Sequence, residues 1–195
     1  MIAVFFPENK FGLFISGGFD SALLLHLYCL EAKNKQQSSL TCITVDRGAS
    51  AVEFGTAICH WAENKHDIKI NHMIVSIPEG LHHSRHVSYP ARQLFSLGFQ
   101  TLITAETQNP PVELPGIAPR RNSPNAHTKR WYYPFSAVNK SETVRVANDL
   151  GILEEISALS HSCTQTVGDR CNICWQCNER NWAFNESNLV DIGKF

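Results

Sequence analysis

Cys163, Cys171, Cys174 and Cys177 are separated by seven, two and two residues. Four thiolates at such short spacing can close a tetrahedral shell around one zinc ion, and Cys-x-x-Cys pairs suit the turn that puts two sulfurs on one metal. A closed shell is structural, so it would tie down the C-terminal subregion 160–184, and its binding free energy would become folding free energy. An iron–sulfur cluster also accepts four cysteines, and a redox dithiol at Cys174 and Cys177 is a third use of the same residues. The ferredoxin-type ending Cys-Pro is absent, and zinc is the expected metal. Arg170 and Arg180 lie near enough in sequence to offset the excess negative charge of four thiolates. Cys29, Cys42 and Cys59 stand in apolar surroundings and are expected to be small buried hydrophobes.

A second group with chemistry in it is Ser16-Gly17-Gly18-Phe19-Asp20-Ser21. Gly17 and Gly18 let the main chain turn tightly and approach an anion, while the hydroxyls of Ser16 and Ser21 can donate to phosphate oxygens. The lysine of a Walker A loop is missing, so the segment suits cradling pyrophosphate better than transferring a terminal phosphate. Asp20 would repel phosphate unless it meets a magnesium ion or faces the amides of a helix.

These residues need elements to position them. Short apolar runs at Phe11 to Ile15, Leu40 to Val45, Ile70 to Ile77 and Thr101 to Ala105 read as strands. Between them, Ala22 to Ala32, Ala51 to Glu63 and Pro90 to Leu97 have helical spacing, with Pro90 in a first turn. Such alternation predicts an α/β domain with a parallel sheet covered on both faces, and ligands in that architecture bind beyond the carboxyl ends of the strands. The glycine pair falls at such a point. Asn139 with Glu142 predicts a capped helix running to Leu150 and stopped by Gly151. The segment 107–130 holds five of the nine prolines together with Arg120, Arg121, Lys129 and Arg130. It reads as a long loop, either solvated or a lid.

With the strand before it and the helix after it, Ser-Gly-Gly-x-Asp-Ser resembles the pyrophosphate loop of the N-type ATP pyrophosphatases, which split ATP into AMP and pyrophosphate. The resemblance implies that Ser16, Gly17, Gly18, Asp20 and Ser21 hold the pyrophosphate half of ATP and its magnesium. The run from Ser162-Cys163 through Cys171-Asn-Ile-Cys174-Trp-Gln-Cys177-Asn-Glu-Arg180 to Ala183-Phe184 is similar to the C-terminal signature of the 7-cyano-7-deazaguanine synthase family, QueC. Ser160-His161-Ser162-Cys163 resembles that family's approach to its first zinc ligand. Pro134 to Lys140 with Glu142 resembles its Pro…Lys-x-Glu helix start, and Pro90-Ala91-Arg92 its Pro-x-Arg-Asn helix start.

The resemblance implies one Rossmann-like domain over 1–195, of the adenine nucleotide alpha hydrolase-like type. It also implies an ATP-dependent carbon–nitrogen ligase that adenylates 7-carboxy-7-deazaguanine, or a similar carboxylate, and condenses it with ammonia to an amide and then a nitrile. Asp20, Lys140 and Arg92 are the catalytic residues so implied, with structural zinc on the four cysteines, ATP with magnesium, and a homodimer. Departures fall at Asp46-Arg47-Gly48-Ala49, where the family has Tyr-Gly-Gln, and at Gln93, where it has Asn. Its substrate loop is unrecognisable in the proline-rich stretch. Two alternatives stay open: coupling of the activated carboxylate to another amine on protein or RNA, or a non-catalytic nucleotide- or RNA-binding module stapled by zinc.

With 195 residues and 43% hydrophobic content the chain suits one core, and a net charge of -1 gives no general reason to bind nucleic acid or an anionic membrane. The N-terminal apolar run is too short for a signal peptide and lacks a cationic flank, so a cytoplasmic protein is expected. Arg92 and Arg180 could reach phosphate or a substrate carboxylate, although each has a plainer use, on the surface or at the zinc site. Lys140, in a first helical turn, could equally be solvated. His161 is expected to make local hydrogen bonds. His82, His83 and His86 have metal-like spacing but no fourth partner, which favours a polar loop. Trp131, Tyr132 and Tyr133 suit packing better than purine stacking.

Overall fold

The computed structural model describes residues 2, 4–47, 50–81, 85–119, 121–124, 126–166 and 169–193. Four strands, β1 (Phe11–Phe14), β2 (Ser39–Asp46), β3 (Lys69–Ser76) and β4 (Thr101–Ile103), fall where the apolar runs predict them. A fifth, β5 (Trp131–Tyr132), arises from the aromatic triplet, for which packing alone is expected from sequence. All pairings are parallel and the order is β3-β2-β1-β4-β5. Chain order reverses direction at β1, so the crevice beyond the carboxyl ends of β1 and β4 is the topological switch point of the sheet.

Period-two alternation assigns side chains to two cores. Leu13 and Cys42 are paired in register and face the larger core with Ile15, Leu40 and Ile103, while their successors Phe14 and Ile43 face the smaller one. The larger face is covered by α1 (Phe19–Asn34), α2 (Ala51–His66), α4 (Lys140–Asp149), α5 (Leu153–Leu159) and α6 (Trp175–Glu186). On the other face Ala91 and Leu94 of α3 (Ser88–Ser96) pack against Phe14, Val45 and Leu102. Helix α1 buries residues all round its circumference, as a central helix must. Cys29, Cys42 and Cys59 are buried in this larger core as expected, and burial pushes the Cys29 thiol up to about 12.

Helix α4 starts with the predicted capping box between Asn139 and Glu142, and Gly151 takes the left-handed conformation just past its end. Helices α5 and α6 are not apparent from sequence. The apolar stripe of α6 is interrupted by Arg180 and Glu179, both buried through ionic partners rather than by hydrophobicity. Among the described residues of 107–130 the regular pairing is a single bridge between Gln108 and Asn139, yet the segment is not a free insertion. Gly116, at a positive φ of 99°, lies against the backbone of Trp175, and Asn178 Nδ2 donates to Pro115 O at 3.1 Å. Among the described residues, no helix is long and apolar enough to cross a membrane.

Candidate nucleotide site and metal centre

Strand β1 delivers Ser16, Gly17 and Gly18 to the switch point. Gly17 has φ 82°, and a Cβ there would stand 2.9 Å from Phe54 Cβ, so both its conformation and its neighbours require glycine. Gly18 is the N-cap of α1 and no side chain caps that helix, which leaves first-turn amides facing outward at the positive end of a 16-residue dipole. Ser16 is exposed, and its Oγ accepts from Gly18 N at 3.4 Å and donates to Ser21 Oγ at 3.3 Å. The Ser21 hydroxyl is buried and donates to Gly18 O at 2.8 Å, bracing the turn from beneath.

Two distant parts of the chain support this loop. From α2, Gly55 allows close approach, since a Cβ there would meet Thr44 Oγ1 at 2.6 Å. Ahead of the cysteines, His161 N donates to Gly17 O at 2.9 Å, and the His161 ring stacks on Phe54 with centroids 4.8 Å apart. The local hydrogen bond expected of His161 is made by its ring, with Nε2 3.3 Å from Thr166 O.

Asp20, in the first turn of α1, meets the first turn of α4. Lys140 Nζ donates to Asp20 Oδ2 at 2.7 Å, and Thr143 Oγ1 donates to Asp20 Oδ1 at 2.8 Å. Lys140 is 6% exposed, which removes the solvated alternative. Its second counter-ion is Glu179 Oε2 at 3.3 Å. Burial alone would lower the Lys140 pKa, but Asp20 and Glu179 outweigh it and hold it above the ordinary value, so Lys140 is charged. The other oxygen of Glu179 lies 2.7 Å from Arg121 Nη2, at an angle that makes the contact an ion pair rather than a directed hydrogen bond. Arg121 also donates to Thr107 O, Thr107 Oγ1 and Gln108 O, and its guanidinium lies 5.0 Å from the centre of the Trp175 ring. Sequence reasoning missed Glu179 and counted Arg121 only as one basic residue of the loop. The two-residue step from Cys177 to Glu179 was the available signal.

Arg92 stands exposed on α3 beside Arg85, Ser88 and Tyr89, around a cavity of about 150 Å³. No hydrogen bond or ion pair among the described residues joins it to the Ser16–Ser21 loop. Arg180, for which sequence offers phosphate or the zinc site, is 0% exposed, and its Nε, Nη1 and Nη2 are all taken by Asp191, Ser160 and Ser157. Arg170 likewise closes on Asp191 at 2.6 Å. His82 and His83 lie outside the described residues, and His86 Nε2 is 2.9 Å from Leu81 O. Asp46 ends β2 and Arg47 follows it; Gly48 and Ala49 lie outside the described residues. A cavity of about 1110 Å³ opens at the opposite end of the sheet, among Asn9, Thr101, Arg130 and Tyr132, and includes no residue of the loop.

The four Sγ atoms of Cys163, Cys171, Cys174 and Cys177 lie within 4.8 Å of one another, and Cys171 and Cys177 are 4.0 Å apart. A tetrahedron of zinc–sulfur bonds of about 2.3 Å has edges of about 3.8 Å, so these residues fit a single ion with little adjustment. A multi-iron cluster puts each thiolate on a different iron and needs the sulfurs further apart. Burial pushes the Cys163 thiol up, but the Thr166 hydroxyl and the backbone amides of Cys171, Gln165 and Thr166 outweigh it and bring it down to about 5. The backbone N–H of Cys174 points at Cys171 Sγ at 3.3 Å. The Thr166 hydroxyl and backbone amides therefore stabilise the thiolate at Cys163.

Comparison with known proteins agrees with this layout. The family model described as Queuosine biosynthesis protein QueC matches residues 122–188, which contain Lys140, all four cysteines and Glu179. The similarity to that family is carried by this C-terminal third of the chain. The fold of the chain is similar to that of the U34-tRNA thiolase NcsA from Methanococcus maripaludis, solved with its [4Fe-4S] cluster, at a TM-score of 0.52 and 13% identity. That alignment covers 93% of this chain and 65% of the thiolase, so the chain spans just under two thirds of that protein's length. No curated protein matches by sequence. The structural likeness is one of fold, and the four cysteines form a group able to bind metal.

Proposed function

We propose that this QueC-like protein is a carbon–nitrogen ligase that adenylates 7-carboxy-7-deazaguanine, or a closely similar carboxylate, and condenses it with ammonia. The observation that carries the reading is the meeting of Asp20 and Lys140, 120 residues apart in sequence, at the uncapped start of α1. A carboxylate is a poor electrophile because its oxide is a bad leaving group. Its oxygen attacks the α phosphorus of ATP, the bond to the β-phosphate oxygen breaks, and pyrophosphate leaves from the cradle made by Ser16, Gly17, Gly18 and Ser21. Ammonia then attacks the acyl carbon, AMP departs, and loss of a proton gives the amide. Adenylation of the amide oxygen followed by loss of AMP and a proton gives the nitrile.

The protein's part is to position these groups and stabilise charge. The α1 amides and Lys140 face the charge that grows on the leaving phosphates, and Asp20 would hold magnesium, which when bound neutralises part of that charge. Arg92, on α3, would bind the substrate carboxylate. A structural zinc on the four cysteines, a homodimer and a cytoplasmic location complete the reading. Departure from the family's substrate motifs in 107–130 supports a second product class, in which the activated carboxylate meets another amine on protein or RNA. Incubation with ATP, magnesium, ammonia and 7-carboxy-7-deazaguanine, read by mass spectrometry, tests both. The expected products are AMP, pyrophosphate and an amide or nitrile. AMP release without either points to a different amine, and no AMP with any carboxylate rejects adenylation.

A further inference from the structure

Glu179 has no place in the chemistry just given, yet its carboxylate is 1% exposed, and a buried charge at that depth persists only with fixed partners. Its two partners come from different parts of the site. Lys140 Nζ belongs to the first turn of α4, and Arg121 Nη2 belongs to the proline-rich segment, which Arg121 also holds through Thr107 and Gln108. Glu179 itself rides on α6 two residues after Cys177.

We infer that Glu179 is the positioning residue that fixes Lys140 in the nucleotide site while docking the proline-rich segment through Arg121. The inference rests on the reading of Ser16–Ser21 as that site. A lysine has a flexible four-carbon stem, so its ammonium goes where its counter-ions are. Of the two carboxylates beside Lys140, Asp20 is partly exposed and faces the loop where an anion would arrive. Glu179 is sealed from ligand and its second oxygen is pinned by Arg121. When phosphate and magnesium draw on Asp20, Glu179 is the end of the tether that stays. Without it, Asp20 is the one of the two carboxylates left beside Lys140, and nothing holds the ammonium in place when ligand draws on Asp20.

Two readouts test this. The first needs no substrate: acylation of lysines by an amine-reactive reagent, mapped by mass spectrometry. Glu179→Gln removes one of the two anions that keep Lys140 protonated, so Lys140 is expected to react about tenfold faster, the equivalent of one pKa unit. Lys35 is the unchanged control. The variant E179Q/R121Q, which leaves no guanidinium without its counter-ion, guards against a folding defect and is expected to show an increase in the same direction but smaller, because the positive charge of Arg121, which opposes protonation of Lys140, is lost with it. The second is steady-state turnover with ATP, ammonia and 7-carboxy-7-deazaguanine. E179Q is expected to lower kcat about tenfold without raising KM for ATP, and to add nothing in a Lys140→Met background, because it acts through that lysine. An unchanged Lys140 reaction rate, or losses that multiply in the double variant, would overturn the inference. If the wild-type protein releases no AMP while the Lys140 rate still rises in E179Q, the tether is supported and the ligase reading fails.

Discussion

Glu179 and Arg180 are adjacent on α6 and both are buried, yet their ionic partners lie in different directions and are satisfied to different degrees. Arg180 donates through Nε and Nη2 to Asp191, through Nη1 to Ser160, and again through Nη2 to Ser157 O. Arg170 closes on the same carboxylate, and although burial opposes it, the two guanidiniums hold Asp191 down at about 2. Glu179 instead begins a chain of alternating charge, through Lys140 to Asp20, that ends partly exposed at the loop. A charge with a full set of fixed protein partners has nothing left for a ligand, and one at the open end of a chain has. Arg180, which sequence alone offers as a phosphate contact, is thereby a structural residue, and its neighbour Glu179 belongs to the site.

The most damaging test severs both networks at once. Cys177→Ser removes one metal ligand from the start of α6, and apparent zinc-binding free energies of about 10 to 16 kcal/mol rival the whole stability of a domain, about 5 to 15 kcal/mol. Metal content is expected to fall from one ion per chain to near zero, and residues 160–193 to become protease-sensitive. A variant with wild-type melting and proteolysis would show that α6 holds both networks without metal. Next in size is a matched pair of aspartates. Asp191→Asn leaves two buried guanidiniums without their anion and is expected to cost about 3 to 5 kcal/mol in denaturant unfolding. Asp20→Asn, partly exposed and with Lys140 still paired to Glu179, is expected to cost on the order of 1 kcal/mol yet to abolish ATP-dependent AMP release. Equal losses of stability would erase the distinction between the networks.

That distinction also marks where the sequence was legible. Strands β1 to β4 and helices α1 to α4 announce themselves by apolar runs, turn residues and the Asn139–Glu142 cap, because local patterning and tertiary burial agree there. The Gly17-Gly18 turn and the cysteine spacing were readable for a similar reason, since each chemistry demands particular residues at fixed intervals. Strand β5 is only two residues long, and Trp131 and Tyr132 look like packing until β4 is there to pair with them. Helix α6 was obscured because its buried face carries Glu179 and Arg180, whose partners are 39 to 58 residues away on one side and 11 on the other. No periodicity encodes a partner. For the same reason Arg121 looked like an ordinary loop cation.

A third buried polar pair sharpens the contrast on a smaller scale. His66 Nε2 lies 3.0 Å from His26 Nδ1, so α1 and α2 are joined by a hydrogen bond that requires one ring to accept. Burial first, then His66 and Lys65, push His26 down to about 4, with Glu155 only partly opposing. The native state therefore prefers the neutral ring, and between pH 6.5 and 4 the unfolded chain binds more protons than the folded one. Stability from His26 is complete above about pH 6.5 and is lost as the pH falls toward 4, by about 3 kcal/mol. Denaturant midpoints measured across that range should follow this slope, and His26→Gln should flatten it. If the slope survives the substitution, the acid sensitivity belongs to another group.

Arg92 gives the smallest expected effect on the fold and the cleanest separation of roles. It stands exposed on α3, outside both networks, and its neighbours Arg85, Ser88 and Tyr89 bound only a shallow cavity. Arg92→Ala is expected to move stability by less than about 0.5 kcal/mol, as for most surface changes. Any loss of turnover must then come from a ligand contact. Because Arg92 is separated from the loop that would hold the phosphates, that loss should appear as a raised KM for the carboxylate with the KM for ATP unchanged. A raised KM for ATP would instead place α3 against the nucleotide and extend the charged chain from Asp20 across the crevice to the smaller face of the sheet. No change in either constant would return Arg92 to the solvent and leave substrate recognition to the proline-rich segment that Arg121 pins beside Lys140.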